Sequence, residues 1–164
     1  MNYKYWYALM FASLLLFTFQ HKTQAQAKAS SKAPTVMLNH IALYVTDLEK
    51  SNDFYEKVIG LTKIPEPFHD GLHEWFSVGG GSQLHLIEGA KEVTEHNKQS
   101  HLCFSVPSVD DFIKTLDKNK LDYINWAGDS KKPTVRVDGV KQIYLKDPDG
   151  YWVEINDDMP GKKQ

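Results

Sequence analysis

The chain has 164 residues, of which 41% are hydrophobic and 24% are charged, a composition that suits one globular domain and excludes a fibrous or disordered chain. The 19 lysines and arginines nearly balance the 21 aspartates and glutamates and are scattered along the sequence, so no nucleic-acid partner is predicted. The single cysteine, Cys103, excludes an internal disulfide and a zinc site built from several cysteines.

The N-terminal segment has the pattern of a secretory leader. Lys4 precedes an apolar run from Tyr7 to Phe19, and Ala25-Gln26-Ala27 has the small residues of a cleavage site. We therefore predict an exported protein, periplasmic or secreted, with a leader over residues 1–27 and a flexible tether over 28–35. Because the apolar run is shorter than the ~20 residues of a spanning helix, no stable membrane span is expected after processing; an uncleaved N-terminal anchor is the alternative.

The rest of the sequence consists of two halves with the same pattern. His40–Val45 and His101–Val106 are short runs of alternating residues that both begin with histidine, and a helical pattern follows each of them. The first helix is predicted to begin after Asp47 and to end at Gly60. The second is predicted to begin after Ser108, which has Asp111 three residues further on.

Each half then returns through extended runs separated by turns. The last runs, Gly81–Leu86 and Gly150–Ile155, both follow turn sequences rich in glycine, proline and aspartate. Because a half of this size cannot cover both faces of its own sheet, we predict one α+β domain in which two modules pair to give about eight strands. The predicted boundaries are 36–89 for module one, 99–157 for module two, 36–158 for the whole domain and 159–164 for a C-terminal tail.

The alternation of side chains along the strands predicts a metal site. In four strands the apolar phase suits packing under the helices, while the opposite phase carries one ionisable side chain each. These four residues are His40, His85, His101 and Glu154. Three imidazoles and a carboxylate suit one divalent transition metal ion, which is zinc, nickel, iron(II), cobalt or manganese, rather than calcium or magnesium. The alternative for each residue taken singly is an isolated polar side chain.

Other residues on the same strand faces are predicted to contact a small-molecule substrate. Arg136, the only arginine, carries a planar guanidinium that suits a carboxylate or phosphate. Gln142 and Tyr144 share one phase of their strand, and Trp152 lies two residues before Glu154 on its face. The alternative is an ordinary polar sheet face. Cys103, on the face of His101, is interpreted as a small buried apolar residue.

At these residues the sequence resembles the vicinal-oxygen-chelate superfamily, which includes glyoxalase I, methylmalonyl-CoA epimerase, extradiol dioxygenases and fosfomycin-resistance thiol transferases. The resemblance covers about Met37 to Asp157 and implies a pair of βαβββ modules that form a half-open barrel around a metal. The ligands then fall on the same four residues, from the first and last strands of each module. The motifs that carry the resemblance are Leu38–Val45, Phe54-Tyr55 before Gly60-Leu61, Ser100–Val106 and Asp147–Ile155.

The resemblance implies a metal-dependent lyase or isomerase like glyoxalase I (lactoylglutathione lyase). The metal then polarises vicinal oxygens of a small substrate, and Glu154 is both ligand and base. Glyoxalase I has a carboxylate where this chain has His85, and an exported protein meets little cytosolic thiol, so the substrate stays open. The alternatives are an extradiol-type dioxygenase, a thiol transferase and a protein that sequesters a drug without chemistry. Related proteins often form dimers, and the sequence leaves open whether the site lies in one chain or is shared by a homodimer.

Overall fold

The computed structural model describes residues 36–161. The leader predicted over residues 1–27, the tether over 28–35 and the end of the tail from residue 162 lie outside the described residues. Among the helices of the described part, none combines the length and the apolar character that a bilayer crossing requires.

The described chain has the strand and helix order of two successive βαβββ units. In the first half the elements are β1 (His40–Val45), α1 (Leu48–Asp53) with a π-helical continuation (Phe54–Ile59), β2 (Thr62–Ile64), β3 (His73–Gly79) and β4 (Ser82–Glu88). In the second half they are β5 (His101–Ser105), α2 (Val109–Lys118), β6 (Thr134–Val135), β7 (Lys141–Lys146) and β8 (Trp152–Asn156). The internal repeat read from the sequence is therefore a repeat of structure.

The strands form two four-stranded mixed sheets of identical topology, with the orders β1-β4-β3-β2 and β5-β8-β7-β6. The first strand of each half pairs in parallel with the last, and the other neighbours are antiparallel. Within the described residues the two sheets do not close on each other, so β1 and β5 each form an open edge. The predicted α+β fold of two paired modules is confirmed.

One hydrophobic core lies between the elements of both halves. The helices contribute Tyr55 and Leu116, both fully buried. From the two sheets the core takes Leu43, Val45, Leu84, Leu86, Ile143, Leu145, Val153 and Ile155. Because side chains alternate along a strand, the opposite phase of each sheet faces away from this core. That phase is the one that carries the four predicted metal ligands.

Local signals determine the ends of both helices. Asp47 accepts a hydrogen bond from the backbone N–H of Lys50 at 3.0 Å, and Ser108 accepts one from that of Asp111 at 3.2 Å. Gly60 ends the first helix with a left-handed φ of 86°. These caps satisfy backbone groups that a helix end leaves unpaired, and they lie where the sequence predicts them.

The first helix departs from a regular α-helix in its second half. Residues Phe54–Ile59 form a π-helical segment, in which each turn contains more residues than an α-helical turn. Phe54 and Tyr55 are adjacent in sequence and are both buried in this segment. The periodicity of the sequence does not predict this widened turn.

The turn at residues 147–150 joins the two halves through buried carboxylates. The Tyr55 hydroxyl donates a hydrogen bond to Oδ2 of Asp147 at 2.8 Å. Asp149 accepts hydrogen bonds from the hydroxyls of Ser51 at 2.7 Å and Thr46 at 2.8 Å. Burial raises the pKa of Asp147 to about 6 although its hydrogen bonds favour the ionised form. The turn therefore has a second role, since it connects the first helix to the second sheet.

Candidate functional site

His40 and His85 lie on neighbouring strands, where the parallel pairing of β1 with β4 places His85 opposite Ala42. Their rings are stacked, with centroids 4.2 Å apart and planes 8° from parallel. The indole of Trp75 stacks on the other face of His85 at 4.0 Å. Nδ1 of His40 is 2.7 Å from Oδ1 of Asn39, and because an amide oxygen only accepts, Nδ1 carries the proton. Nε2 of His40 is therefore the nitrogen with the free lone pair.

The stacked arrangement of His40 and His85 does not direct a nitrogen of each ring at the same metal ion. A metal lies in the plane of an imidazole ligand at ~2 Å, whereas these rings are parallel and 4.2 Å apart, so one ring must rotate before both can bind one ion. Nε2 of His85 also contacts Oε1 of Gln83 at 2.7 Å. Burial, followed by the charges of His40 and His73, lowers the pKa of His85. The neutral imidazole, which is the form that binds metals, is favoured.

His101 and Glu154 form the second pair, on the neighbouring strands β5 and β8. Nδ1 of His101 lies 2.7 Å from the carbonyl oxygen of Lys98 and must donate to it, so Nδ1 carries a proton. Nε2 of the same ring lies 3.2 Å from Oε2 of Glu154. In a neutral imidazole both of these facing atoms are acceptors, an arrangement that needs a proton or a metal cation to be favourable. The donor set and its orientation therefore fit a divalent metal.

Three neutral groups hold the Glu154 carboxylate in place. Oε2 accepts a hydrogen bond from the Tyr144 hydroxyl, and Oε1 accepts from Asn156 Nδ2 at 2.9 Å and from Cys103 Sγ at 3.5 Å. Burial favours a higher pKa for Glu154, but these hydrogen bonds and the nearby His101 outweigh it, and the pKa lies below its usual value. Glu154 is therefore an ionised carboxylate of fixed orientation.

The interpretation of Cys103 as a small buried apolar residue is wrong. The residue as a whole is exposed, and its sulfur contacts Nδ2 of Asn156 at 3.1 Å as well as Glu154. Desolvation of the sulfur, and then the charge of Glu154, raise the pKa of the thiol to about 12. At neutral pH this side chain is a protonated hydrogen-bond donor to Glu154 rather than a thiolate nucleophile.

A cleft of about 580 Å³ opens beside the second pair. Of the predicted substrate residues, Arg136, Gln142 and Tyr144 line this cleft, and Arg136 is ion-paired with Asp138. Trp152 does not line it, because its indole N–H donates to the carbonyl of His96 at 2.9 Å and its ring borders a smaller cavity of about 250 Å³. The other residues around the cleft are Gln99, His101, Trp126, Thr134, Val135, Val137, Asp138 and Glu154.

Sequence reasoning missed the cleft residues that come from loops. Gln99 and Trp126 lie outside the strands, where no alternation assigns a side chain to a face. Asn156, which donates a hydrogen bond to Glu154, could have been predicted as a site residue. It lies two residues further along the same strand, and therefore on the same face of the sheet.

The two ligand pairs lie on separate sheets. Between residues 36 and 161 no cluster of three or more histidine, cysteine, aspartate or glutamate side chains is arranged to hold a metal ion. His40 contacts His85, and His101 contacts Glu154. Among the described residues of one chain, however, the two pairs do not come together to form one site. The reason is that both sheets pack their apolar faces into the shared core, which leaves the two ligand faces pointing away from it.

Comparison with known proteins identifies relatives over the same region. The model of the Glyoxalase/Bleomycin resistance protein/Dioxygenase superfamily matches residues 37–155. A lactoylglutathione lyase of Pseudomonas putida is 25% identical, over 82% of this chain and 92% of that protein. Metallothiol transferase FosB of Lysinibacillus sphaericus is 30% identical, over 73% of this chain and 80% of that protein. The solved structure of Oxidase ChaP-H1 is 26% identical with a TM-score of 0.62, over 77% of this chain and 99% of that one.

Proposed function

Because this chain belongs to the Glyoxalase/Bleomycin resistance protein/Dioxygenase superfamily, we propose that it is a divalent-metal-dependent enzyme of the lyase or isomerase type. In this proposal its substrate is a small molecule that offers vicinal oxygens to the metal, and the similarity to a lactoylglutathione lyase supports the lyase or isomerase type. The observation that carries the proposal is the His101–Glu154 pair, in which the two facing atoms are 3.2 Å apart and the other ring nitrogen donates to a backbone carbonyl. Such an oriented pair is typical of metal ligands.

The complete site of this proposal is built from two copies of the chain. His40 and His85 of one copy then share an ion with His101 and Glu154 of the other. Two observations support this arrangement: each pair has one member on an open edge strand, β1 or β5, and each ligand face points away from the core of its own chain. In a two-fold dimer the β1 edge of each copy meets the β5 edge of the other, so both sites form at once.

In the proposed reaction the bound metal and Glu154 have different roles. When bound, a zinc, nickel, iron(II), cobalt or manganese ion supplies Lewis acidity toward the substrate oxygens. Glu154 accepts the substrate proton at a carboxylate oxygen, and its lowered pKa and hydrogen bonds from Tyr144 and Asn156 keep it ionised and oriented before the transfer. His85 stands where glyoxalase I has a carboxylate. Glu154 is therefore the one carboxylate among the four ligands and must both remove and return the proton.

The proposed location restricts the substrate. The leader pattern over residues 1–27 supports export, and outside the cytosol a glutathione adduct is scarce. We therefore favour a substrate whose vicinal oxygens belong to the molecule itself rather than to a thiol adduct. The similarity to metallothiol transferase FosB, at 30% identity, makes transfer of a thiol to a small molecule the second candidate function.

The test combines metal analysis with enzyme assays on the purified protein. Wild-type protein loaded with zinc or nickel is expected to retain about one ion per chain after dialysis. His101→Ala and Glu154→Gln are expected to lose that ion, while the control His96→Ala, whose ring stacks on Tyr151, keeps it. Assays with methylglyoxal and glutathione, with α-hydroxyketones and with fosfomycin and a thiol separate the candidate reactions. Retention of the ion and of activity by both ligand variants would refute the proposal.

A further inference from the structure

Lys98 is held inside a group of three aromatic rings next to the second ligand pair. Its ammonium nitrogen lies 5.5 Å from the ring centroid of Trp126, 5.4 Å from that of Tyr144 and 5.9 Å from that of Trp152. The same nitrogen donates to the carbonyl oxygen of Trp126 at 2.5 Å. Cation–π contacts and this hydrogen bond restrict a side chain that is otherwise flexible. The charge is therefore fixed in position before any ligand arrives.

This ammonium has spare capacity for an anion. It is half-buried, and among residues 36–161 no carboxylate oxygen lies within 4.0 Å of it. The bond to Trp126 uses one of its three N–H donors. Arg136, the other cation at the cleft, is paired with Asp138. Lys98 is thus the fixed positive charge beside the cleft that lacks a carboxylate partner.

Lys98 is also coupled to the ligand pair through its own backbone. Its carbonyl accepts the hydrogen bond from Nδ1 of His101, and the Tyr144 ring under its ammonium carries the hydroxyl that donates to Glu154. Trp126 and Tyr144 both line the cleft, as does the next residue, Gln99. The Lys98 ammonium and the Glu154 carboxylate, the proposed base, therefore both contact the side chain of Tyr144.

We infer that Lys98 binds a carboxylate of the substrate at the edge of the cleft, with the body of the substrate against the ring of Trp126. The inference rests on the proposed function for the identity of the reacting site and names the substrate class as small carboxylic acids. A carboxylate accepts the two free N–H donors of Lys98 in charge-assisted hydrogen bonds. Because the lysine is already immobilised, little conformational entropy is lost when the anion binds.

The test uses a matched pair of probes, 3-phenylpropionate and its neutral amide, 3-phenylpropanamide. Both are titrated into ¹⁵N-labelled protein that has been stripped of metal with EDTA and then dialysed free of it, and the indole N–H signals of Trp126 and Trp152 report binding. Wild-type protein is expected to bind the acid at least about tenfold more tightly than the amide. Lys98→Met, which keeps the backbone carbonyl for His101, is expected to lose this preference, and Lys98→Arg to keep it.

Lys146→Met is the matched control, because Lys146 also lies over Trp152, at 5.0 Å, but is exposed. It is expected to retain the preference for the acid. Equal binding of acid and amide by wild-type protein, no binding of either, or equal losses in the two methionine variants would each overturn the inference.

The experiment separates this inference from the proposed function. EDTA removes any bound metal, so the preference for the acid tests Lys98 alone. Metal retention by the His101 and Glu154 variants tests the proposed ligand pair alone. If wild-type protein prefers the acid but binds no metal, the Lys98 site is supported and the enzyme proposal is refuted. If wild-type protein binds metal but shows no preference for the acid, the inference about Lys98 is refuted and the enzyme proposal is supported.

Discussion

The Tyr144 hydroxyl donates a hydrogen bond to Oε2 of Glu154, the residue directly opposite it on the next strand. The antiparallel pairing of β7 with β8 brings the two side chains to the same face. The same carboxylate oxygen faces Nε2 of His101. Burial, and then the hydrogen bond to Glu154, raise the pKa of Tyr144, so the phenol remains a donor at any working pH. Tyr144 is therefore one of the groups, with Asn156 and Cys103, that orient the Glu154 carboxylate.

Tyr144→Phe is expected to raise the pKa of Glu154, because the hydrogen bond it removes stabilises the ionised carboxylate. The variant is also expected to weaken metal binding by about tenfold, the usual effect of losing a group that orients a ligand. Carbon-detected NMR titration of Glu154 measures the first effect, and competition with a metal indicator measures the second.

Tyr123→Phe is the control for this prediction. Tyr123 is also a buried tyrosine, but its hydroxyl interacts with Asp117 and not with Glu154. It is expected to leave the pKa of Glu154 and the metal affinity unchanged. An unchanged Glu154 pKa in Tyr144→Phe would mean that the phenol does not orient the carboxylate in solution.

Mixing two inactive variants tests whether a site is shared by two copies. His40→Ala and His101→Ala are each expected to lose the metal. After unfolding together and refolding, random pairing gives heterodimers in which one of the two sites contains neither substitution. The mixture is therefore expected to regain about a quarter of the wild-type metal content, measured by elemental analysis after dialysis. Sites within single chains would regain none.

The buried Asp147 predicts a pH dependence of stability. Its pKa is raised from 3.8 to about 6, first of all by burial, so the folded state binds this proton more tightly than the unfolded state. The stabilising contribution is complete below about pH 4 and is lost as the pH rises through about 6. This shift in the pKa of Asp147 corresponds to about 3 kcal/mol in the free energy of unfolding, as expected for a carboxyl group with little access to water.

Asp147→Asn isolates this contribution, because the amide oxygen still accepts backbone hydrogen bonds but cannot ionise. Urea unfolding at several values between about pH 4 and pH 7 gives the free energy of unfolding of both proteins. Relative to the variant, wild-type protein is expected to lose up to about 3 kcal/mol across this range. Parallel profiles for the two proteins would show that Asp147 does not titrate in this window.

Gly60 tests the cap of the first helix. Its φ of 86° is left-handed, and a side chain added there would meet nothing within 4 Å, so the cost of substitution is conformational alone. Gly60→Ala is expected to lower the free energy of unfolding by about 1 kcal/mol, and Gly60→Asn by less, because asparagine tolerates this conformation. Equal losses for the two variants in urea unfolding would contradict this explanation.

Features that depend on neighbouring residues could be predicted from the sequence. His40 and Glu154 each alternate with apolar residues along their strands, and this alternation predicts that each lies on the strand face opposite the core. Asp47, Ser108 and Gly60 predict the ends of the helices. Features that depend on distant residues could not be predicted. The π-helical segment Phe54–Ile59, in which the adjacent residues Phe54 and Tyr55 are both buried, is not encoded in the periodicity of the sequence.

The sequence by itself determined the repeated module, the strand phases and the residue types available as metal ligands, because each of these depends on a period of two or 3.6 residues along the chain. Only the tertiary structure decided that His40 meets His85 and His101 meets Glu154 as separate pairs, and that Lys98 lies among Trp126, Tyr144 and Trp152. The physical reason is that two sheets with apolar faces bury those faces against a common core, and the directions in which the opposite faces then point depend on contacts between residues far apart in sequence.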